Sequence, residues 1–337
     1  MLKYAIFAIL MLAVVGYGLY VLFPAALKPS PDGSKKRWGY LFGIILTAEA
    51  LLFVVAPLMD WWLPKGVSTY SGDVDLLFYV ILGVTGVTFI AVSAVFVYTL
   101  FKYPAQVGRK ALYTHGNHRL EMLWTAVPAV LLILLAVGQI PAWFKIKSTS
   151  WLSAKEGASE KFLQIEVVAR QWEWRMRYPS LEHLREWDKD RDIAMKDVRL
   201  KLPARPDDVR RTNEIHCVKG QKVLVHLKTL DVLHSFFLPQ MRLKQDALPG
   251  RTMPVWFEAT EANCVKQNGV WKDGLRYNEA KTSWVKDDTY IWELACAEFC
   301  GSRHSLMRGK VYVHADQKDF EDWLATAERE GHATTDK

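Results

Sequence analysis

Cys296-Ala-Glu-Phe-Cys300-Gly-Ser-Arg-His304-Ser-Leu-Met307 decides how the chain is read. Two thiols, an imidazole and a thioether on so short a loop converge only around a metal that accepts soft ligands, and copper fits that set best. A mononuclear blue-copper site takes one Cys, two His and a weak Met, whereas the second thiolate here allows both sulfurs to bridge two coppers. The second imidazole must then come from elsewhere. His234, in Asp231-Val-Leu-His-Ser-Phe-Phe-Leu-Pro239, is the leading candidate, because it directly follows a strand-like run ending near Leu230 and strand ends bring distant residues together. The competing readings are a Cys296–Cys300 disulfide, a zinc site, or an ordinary surface histidine at 234. A disulfide leaves His304 and Met307 without a role, and zinc rarely takes methionine.

Outward from that loop, the C-terminal part of the chain has strand periodicity. Leu163, Ile165, Val167 and Ala169 recur at every second position, as do Val223, Val225 and Leu227. Further β-rich runs cover 289–294 and 310–314, separated by turn formers such as Leu248-Pro249-Gly250. The spacing predicts a small antiparallel barrel or sandwich. Two charged stretches, at about 182–211 and 261–288, exceed ordinary loops and read as surface insertions. Residues 315–330 read as a closing amphipathic helix, with Phe320, Trp323 and Leu324 on its apolar side.

The mean hydropathy of +0.00 hides a division within the chain. Of 43 Lys and Arg, 33 lie after Phe144, as do 30 of 36 Asp and Glu. This mixed-sign charge, with no basic stripe, excludes a nucleic-acid module, and the apolar first part excludes a wholly soluble enzyme or a disordered chain. Uncharged runs at 4–23, 76–101 and 122–144 each reach the roughly 20 residues that a helix needs to cross hydrocarbon. A fourth span, 38–58, holds Glu49, which must face protein or water or pair with another subunit. Lys28, Lys35, Lys36 and Arg37 lie between the first two spans, and Lys102, Arg109, Lys110 and Arg119 between the last two, so both loops are expected in the cytoplasm. Four spans then leave the N-terminus and the C-terminal domain outside. A cleaved signal peptide over residues 1–23 is the competing reading, and parity argues against it, since three spans cannot satisfy both basic loops with the C-terminal domain outside.

Several motifs resemble subunit II of haem-copper cytochrome c oxidases over residues 75–320. His115-Gly-Asn-His-Arg-Leu-Glu-Met-Leu-Trp-Thr-Ala-Val-Pro128 is similar to the start of that family's second helix, Gln171-Trp-Glu-Trp174 to its aromatic stretch, and Leu243-Lys-Gln-Asp-Ala-Leu-Pro-Gly-Arg251 to its loop after the histidine ligand. Cys296 to Met307 resembles its CuA loop throughout. The resemblance implies a membrane-anchored α + β chain with a transmembrane hairpin in 65–144 and an exported cupredoxin-like antiparallel β-barrel in 145–337; the transmembrane helix pair read in 1–64 is additional to that pattern. The resemblance also implies that Cys296 and Cys300 bridge two coppers, that His234 and His304 bind one each, and that Met307 and the Glu298 carbonyl complete the shell. The Glu298 carboxylate is expected on a Mg²⁺ at the boundary with subunit I, oxygen being what that hard cation requires. Trp172 becomes the point where electrons enter, with Trp174 a packed neighbour, and Glu121 the mouth of a proton pathway into subunit I. The competing reading of Glu121 is an acid favoured by the helix dipole.

The function implied is acceptance of electrons from cytochrome c, or from a membrane-bound cytochrome, for passage to haem in subunit I, where O₂ becomes water. Subunits I and III are the expected protein partners, and the bacterial-type inner membrane the expected location, with the copper domain on its periplasmic side. No Cys-x-x-Cys-His occurs, so no haem is expected on this chain. A CuA-containing subunit of a nitric oxide reductase and a membrane-anchored copper-delivery protein are the alternatives. Cys217 and Cys264 have no place in the copper set, and as exported cysteines they are candidates for pairing.

Overall fold

The computed structural model describes residues 37–58, 63–106, 108–113, 115–149, 161–278, 280 and 282–335. The predicted span at 4–23, and with it the question of cleavage, lies outside them. Two units are formed, one by residues up to Leu63 with Leu77–Val137, the other by Pro64–Leu76 with Gly138 onward.

The first unit is helical. Helix α1 (Arg37–Leu58) covers the second predicted span, with Glu49 exposed upon it. Helices α2 (Ser71–Lys102) and α3 (His118–Gly138), the latter continued by α4 (Ile140–Lys147) in the second unit, are long and apolar enough to cross a membrane. None of their most apolar stretch is buried, as expected of surfaces meant for hydrocarbon. Tyr40 meets Phe101 at 4.8 Å and Phe42 meets Phe96 at 5.3 Å, both edge-on, which fastens α1 to α2. Gly39 permits this approach, since a Cβ there would sit 3.0 Å from the Phe101 ring.

The second unit holds two five-stranded sheets. Strands β1 (Phe162–Arg170), β2 (Glu173–Tyr178), β3 (Val209–Thr212), β5 (Lys222–Thr229) and β8 (Met253–Glu258) form one, in the order β3-β2-β1-β5-β8. Strands β4 (Glu214–Val218), β6 (His234–Leu238), β7 (Leu243–Ala247), β13 (Trp292–Cys296) and β14 (Arg308–His314) form the other, in the order β4-β14-β13-β6-β7. Their inner faces share one core that includes Ile165, Val167, Trp174, Phe236, Leu294 and Val313. The expected antiparallel barrel is corrected on two counts. Each sheet contains a parallel pair, β1 with β5 and β14 with β4, and each ends in open edges rather than closing on itself. The physical reason is connectivity: β1 and β5 are separated by long crossovers, which parallel neighbours require and tight hairpins cannot supply.

The insertion after β2 folds into helices α5 (Leu181–Lys189) and α6 (Arg191–Arg199). Ser180 caps the first, its hydroxyl accepting from the His183 amide, and Asp190 caps the second. Gln164 of β1 donates to the Ala194 carbonyl at 2.9 Å, so the insertion covers the outer side of β1. The second insertion forms two hairpins, β9 (Val265–Gln267) with β10 (Val270–Lys272), and β11 (Leu275–Asn278) with β12 (Ser283–Lys286). The first turns at Asn268-Gly269, both at positive φ, the conformation that a two-residue hairpin turn favours. Fully buried Asn263 anchors this region by donating to the Tyr290 and Val311 carbonyls and accepting from the Val313 amide. A closing helix, α7 (Gln317–Thr335), lays Phe320, Trp323 and Leu324 on the core.

The segment before α2 also belongs to this unit. The Val67 amide donates to the Gln240 carbonyl at 2.7 Å, the Thr260 amide to Val67 at 2.8 Å, and fully buried Tyr70 packs edge-on against Trp256. Arg242 clamps it by ion pairing with Asp75 at 2.6 Å and donating to the Pro64 carbonyl.

Candidate metal centre

Strand pairing delivers the site. Antiparallel β6 and β13 register Cys296 opposite Phe236, so His234 at the start of β6 faces Cys296 at the end of β13. The ligand atoms of His234, Cys296 and Cys300 lie within 4.8 Å of one another. Cys296 Sγ stands 3.7 Å from His234 Nδ1 and 3.8 Å from Cys300 Sγ. Both cysteines are free, and their separation is well beyond the ~2.05 Å of a disulfide. On the other side, Cys300 Sγ is 3.5 Å from His304 Nδ1 and 3.8 Å from Met307 Sδ. The Glu298 carbonyl lies 3.2 Å from Cys296 Sγ, while its carboxyl group points from an exposed residue.

The loop holds this shape by backbone means. Gly301 sits at φ +116°, and a Cβ there would press on Gln171 and Trp172 within 3.1–3.4 Å. The Cys300 carbonyl accepts from Gln171 Nε2 at 2.8 Å and from Trp172 Nε1 at 3.2 Å. The Cys296 amide donates to the Met307 carbonyl, closing the loop. His234, Cys300 and Met307 are buried. Trp174, fully buried, packs edge-on to the His234 ring at 6.2 Å.

Asp231, three residues before His234, supports that ligand from its outer side. Its Oδ1 lies 2.9 Å from His234 Nε2 and also accepts from the Val232 amide, while Oδ2 accepts from the Gln171 amide. A carboxylate on Nε2 fixes the ring so that Nδ1 faces the sulfurs, the usual outer support of a ligating histidine. The sequence signal was an Asp three residues before a candidate ligand. Gln171, which buttresses the loop through Cys300, had no signal beyond its place beside Trp172.

Electrostatics favour a cation here. Burial raises the Cys296 thiol, but contacts with His234 and with the Ser235 and Glu298 backbone prevail and bring it down to about 6. Burial, and then the neighbouring Cys296 thiolate, push the Cys300 thiol up to about 12. His234 is driven down by burial and up by Cys296 and Asp231, with a net rise. Two thiols that cannot both ionise beside each other, yet are flanked by two imidazoles, a thioether and a carbonyl, suit a soft metal that relieves their repulsion. This donor set fits copper.

Glu121 is not part of this cluster. It is exposed in the first turn of α3, in the helical unit, where Asn117 provides the cap by accepting from the Arg119 and Leu120 amides.

Two family models match the chain. The transmembrane domain of cytochrome C oxidase subunit II covers residues 57–141, and its periplasmic domain covers 163–274. The chain belongs to the cytochrome c oxidase subunit II family. Similar proteins are an alternative cytochrome c oxidase subunit 2 of Bradyrhizobium diazoefficiens, 27% identical over 276 residues covering 78% of this chain and 83% of its own, and a cytochrome c oxidase subunit 2 of Thermostichus vulcanus, 26% identical over 323 residues covering 80% and 82%. This subunit II is thus the electron-accepting component of an oxidoreductase complex, anchored in a membrane with a periplasmic copper domain. The nitric oxide reductase and copper-delivery alternatives find no support among these matches. The Cys296–Met307 loop lies beyond the matched 163–274, so its ligand roles rest on the geometry above.

Proposed function

We propose that the centre is binuclear CuA, with Cys296 and Cys300 as bridges, His234 and His304 on one metal each, and Met307 and the Glu298 carbonyl completing the shell. What supports this most is that each sulfur has its own imidazole, Nδ1 of His234 beside Cys296 and Nδ1 of His304 beside Cys300. When bound, a thiolate-bridged copper pair shares one electron and exchanges it with little rearrangement. The protein residues seat and shield that pair. Burial of His234, Cys300 and Met307 keeps water out, and Asp231 orients the inner imidazole. Trp172, bonded to the Cys300 carbonyl, is where electrons enter from cytochrome c or a membrane-bound cytochrome. The exposed Glu298 carboxylate would hold a Mg²⁺ at the boundary with subunit I, the partner that would supply the haem chemistry by which O₂ becomes water. The purified complex supplied with a reduced cytochrome is expected to consume O₂; consumption of NO without O₂ uptake would contradict this reading.

The proposed setting is a bacterial-type inner membrane, with subunits I and III as partners and four spans divided as 1–64 and 65–144 ahead of the copper domain at 145–337. Alkaline phosphatase fused after Lys65 is expected to be active and after Arg109 inactive, as the basic loops require. The reverse pattern would refute the topology.

Glu121 at the cytoplasmic start of α3 is proposed to admit protons to subunit I. Glu121→Ala is expected to slow steady O₂ turnover several-fold while reduction of the copper centre by the donor stays unchanged, the two rates being read by oxygen electrode and stopped flow. If both rates survive, the carboxylate serves only the helix end.

A further inference from the structure

The hairpin β11–β12 of the second insertion helps to wall a cavity of about 750 Å³, the size of a small-molecule site. Lys65, Lys219 and Arg276 line it, and among the described residues Glu261 is the only carboxylate that does. Lys65 takes Glu261 at 2.5 Å, and the Tyr290 hydroxyl donates to the same carboxylate. Arg276 reaches outward to Asp287 at 3.3 Å. Lys219, exposed in the turn between β4 and β5, forms no ion pair among the described residues. Counting Asp287, three cations meet two carboxylates, which leaves one positive charge in excess. The acids just outside add nothing against it: Asp288 pairs with Lys286, Asp316 caps the closing helix by accepting from the Asp319 amide, and Glu279 is offset in the sequence by Lys281. Tyr277 and Trp284, opposite each other on the hairpin with ring centres 5.7 Å apart, supply an apolar wall.

The wall that holds Lys65 also fixes the height of the cavity. Gly66 lies against the first residue of α2, since a Cβ there would sit 2.7 Å from Ser71 Cβ. From Ser71 the helix needs five residues to reach Leu76, where the uncharged run begins. That is about 7.5 Å of rise. One headgroup layer is about 5–7 Å deep, so Lys65 stands at the level of the lipid phosphates.

We propose that this cavity binds the phosphodiester of an anionic phospholipid from the leaflet in which α2 begins, with Lys219 and Arg276 toward the phosphate and Tyr277 and Trp284 against the glycerol. A phosphodiester carries one negative charge, which matches the excess in the cavity, whereas a zwitterionic headgroup cancels that charge with its own ammonium. A lipid brings the charge already confined to the right height. Free phosphate has to be drawn from solution by a single net charge, which salt screens. The second insertion then ties the periplasmic domain to the bilayer.

The test is native mass spectrometry of the intact oxidase complex released from nanodiscs of phosphatidylcholine that contain a minor fraction of phosphatidylglycerol. Lys219→Gln and Arg276→Gln are each expected to lower phosphatidylglycerol retention about fivefold, and the pair together to lose it from this site. Lys219 is exposed in a turn, so its substitution carries the test even if loss of the Arg276–Asp287 pair disturbs the hairpin. Lys286→Gln removes the same charge from β12 outside the cavity and is expected to leave retention unchanged. Inorganic phosphate and glycerol 3-phosphate, added separately, are expected not to displace the lipid. Retention that is indifferent to Lys219→Gln would overturn the proposal, as would an equal loss in Lys286→Gln or equal retention of phosphatidylcholine at this site. Displacement of the lipid by inorganic phosphate would also overturn it, by making the cavity a site for a free anion.

Discussion

Cys300→Ser is expected to abolish the shared-electron signal of the copper centre while leaving the domain folded. Cys300 is 2% exposed and sits between Cys296 Sγ at 3.8 Å, His304 Nδ1 at 3.5 Å and Met307 Sδ at 3.8 Å, so it alone adjoins every other side-chain sulfur of the site. Serine is smaller by little and stays neutral, but its hard oxygen is a poor partner for copper and cannot bridge as a thiolate does. Copper affinity should fall by more than the ~10–100-fold that loss of an outer support costs. Copper analysis and spectra of the complex would show at most one copper per chain and no electron shared between nuclei. Met307→Leu makes the instructive contrast. It conserves volume, removes only a weak thioether ligand, and is expected to shift the reduction potential with both coppers retained. Retention of the shared-electron signal in Cys300→Ser would show that the sulfur does not bridge.

Arg177→Met is expected to be the most destabilising single change remote from the metal. The guanidinium is buried, pairs with Glu166 at 2.9 Å and Asp208 at 2.5 Å, and donates to the Leu202 and Pro203 carbonyls. Lys228 also pairs with Glu166, whereas the Asp208 side chain is fully buried and left with only a backbone amide, that of Arg205. Breaking such a buried pair costs about 3–5 kcal/mol, because the stranded charge cannot return to water. For a domain of this size that corresponds to roughly 6–20 °C in melting temperature. The pH dependence has a defined sign. Burial works to raise the Glu166 carboxyl, but Arg177 and Lys228 prevail and hold it below its ordinary value. A depressed carboxylate contributes stability that is present above its unfolded pKa of about 4.3 and lost as pH falls through its folded value. The deficit of Arg177→Met is therefore expected to be largest near neutral pH and to narrow in acid. Melting curves of the two proteins at pH 7 and in mild acid would check this, and a loss under about 1 kcal/mol at pH 7 would mean that the network is dispensable.

Strand periodicity made one side of the domain legible. Ile165 and Val167 on β1, and Val223 and Val225 on β5, face the core as their alternation predicts. The other side of β1 was not legible. Gln164 and Glu166 sit at positions that alternation assigns to solvent, yet both are buried, because α5 and α6 fold over them and Arg177 reaches in from β2. Local pattern records polarity, whereas a partner brought in from a distant insertion decides burial. The parallel pairing of β1 with β5 was hidden for the same reason, since alternation is identical for parallel and antiparallel neighbours. The stretch Val67–Tyr70 carries no strand signal and is held by bonds to Gln240, Glu258 and Thr260, far along the chain.

The candidate site divides in the same way. Soft donors on one loop are visible as residue types, and His234 was reachable because a strand end precedes it. Asp231 and Gln171 act through hydrogen bonds that exist only once the β1–β2 turn, the β5–β6 turn and the Cys296 loop have come together. Glu173 shows the limit of counting charges. Its acid beside Trp172 suggests a negative docking face until Arg170 and Arg175 are seen to close on it.

The most direct test of the account is copper stoichiometry and electron paramagnetic resonance on the purified, oxidised complex. Two coppers at this subunit, with hyperfine lines from a single electron shared equally by two nuclei, are the result predicted by sulfurs 3.8 Å apart with an imidazole beside each. One copper with the splitting of a single nucleus, or a site that takes only zinc, would contradict it.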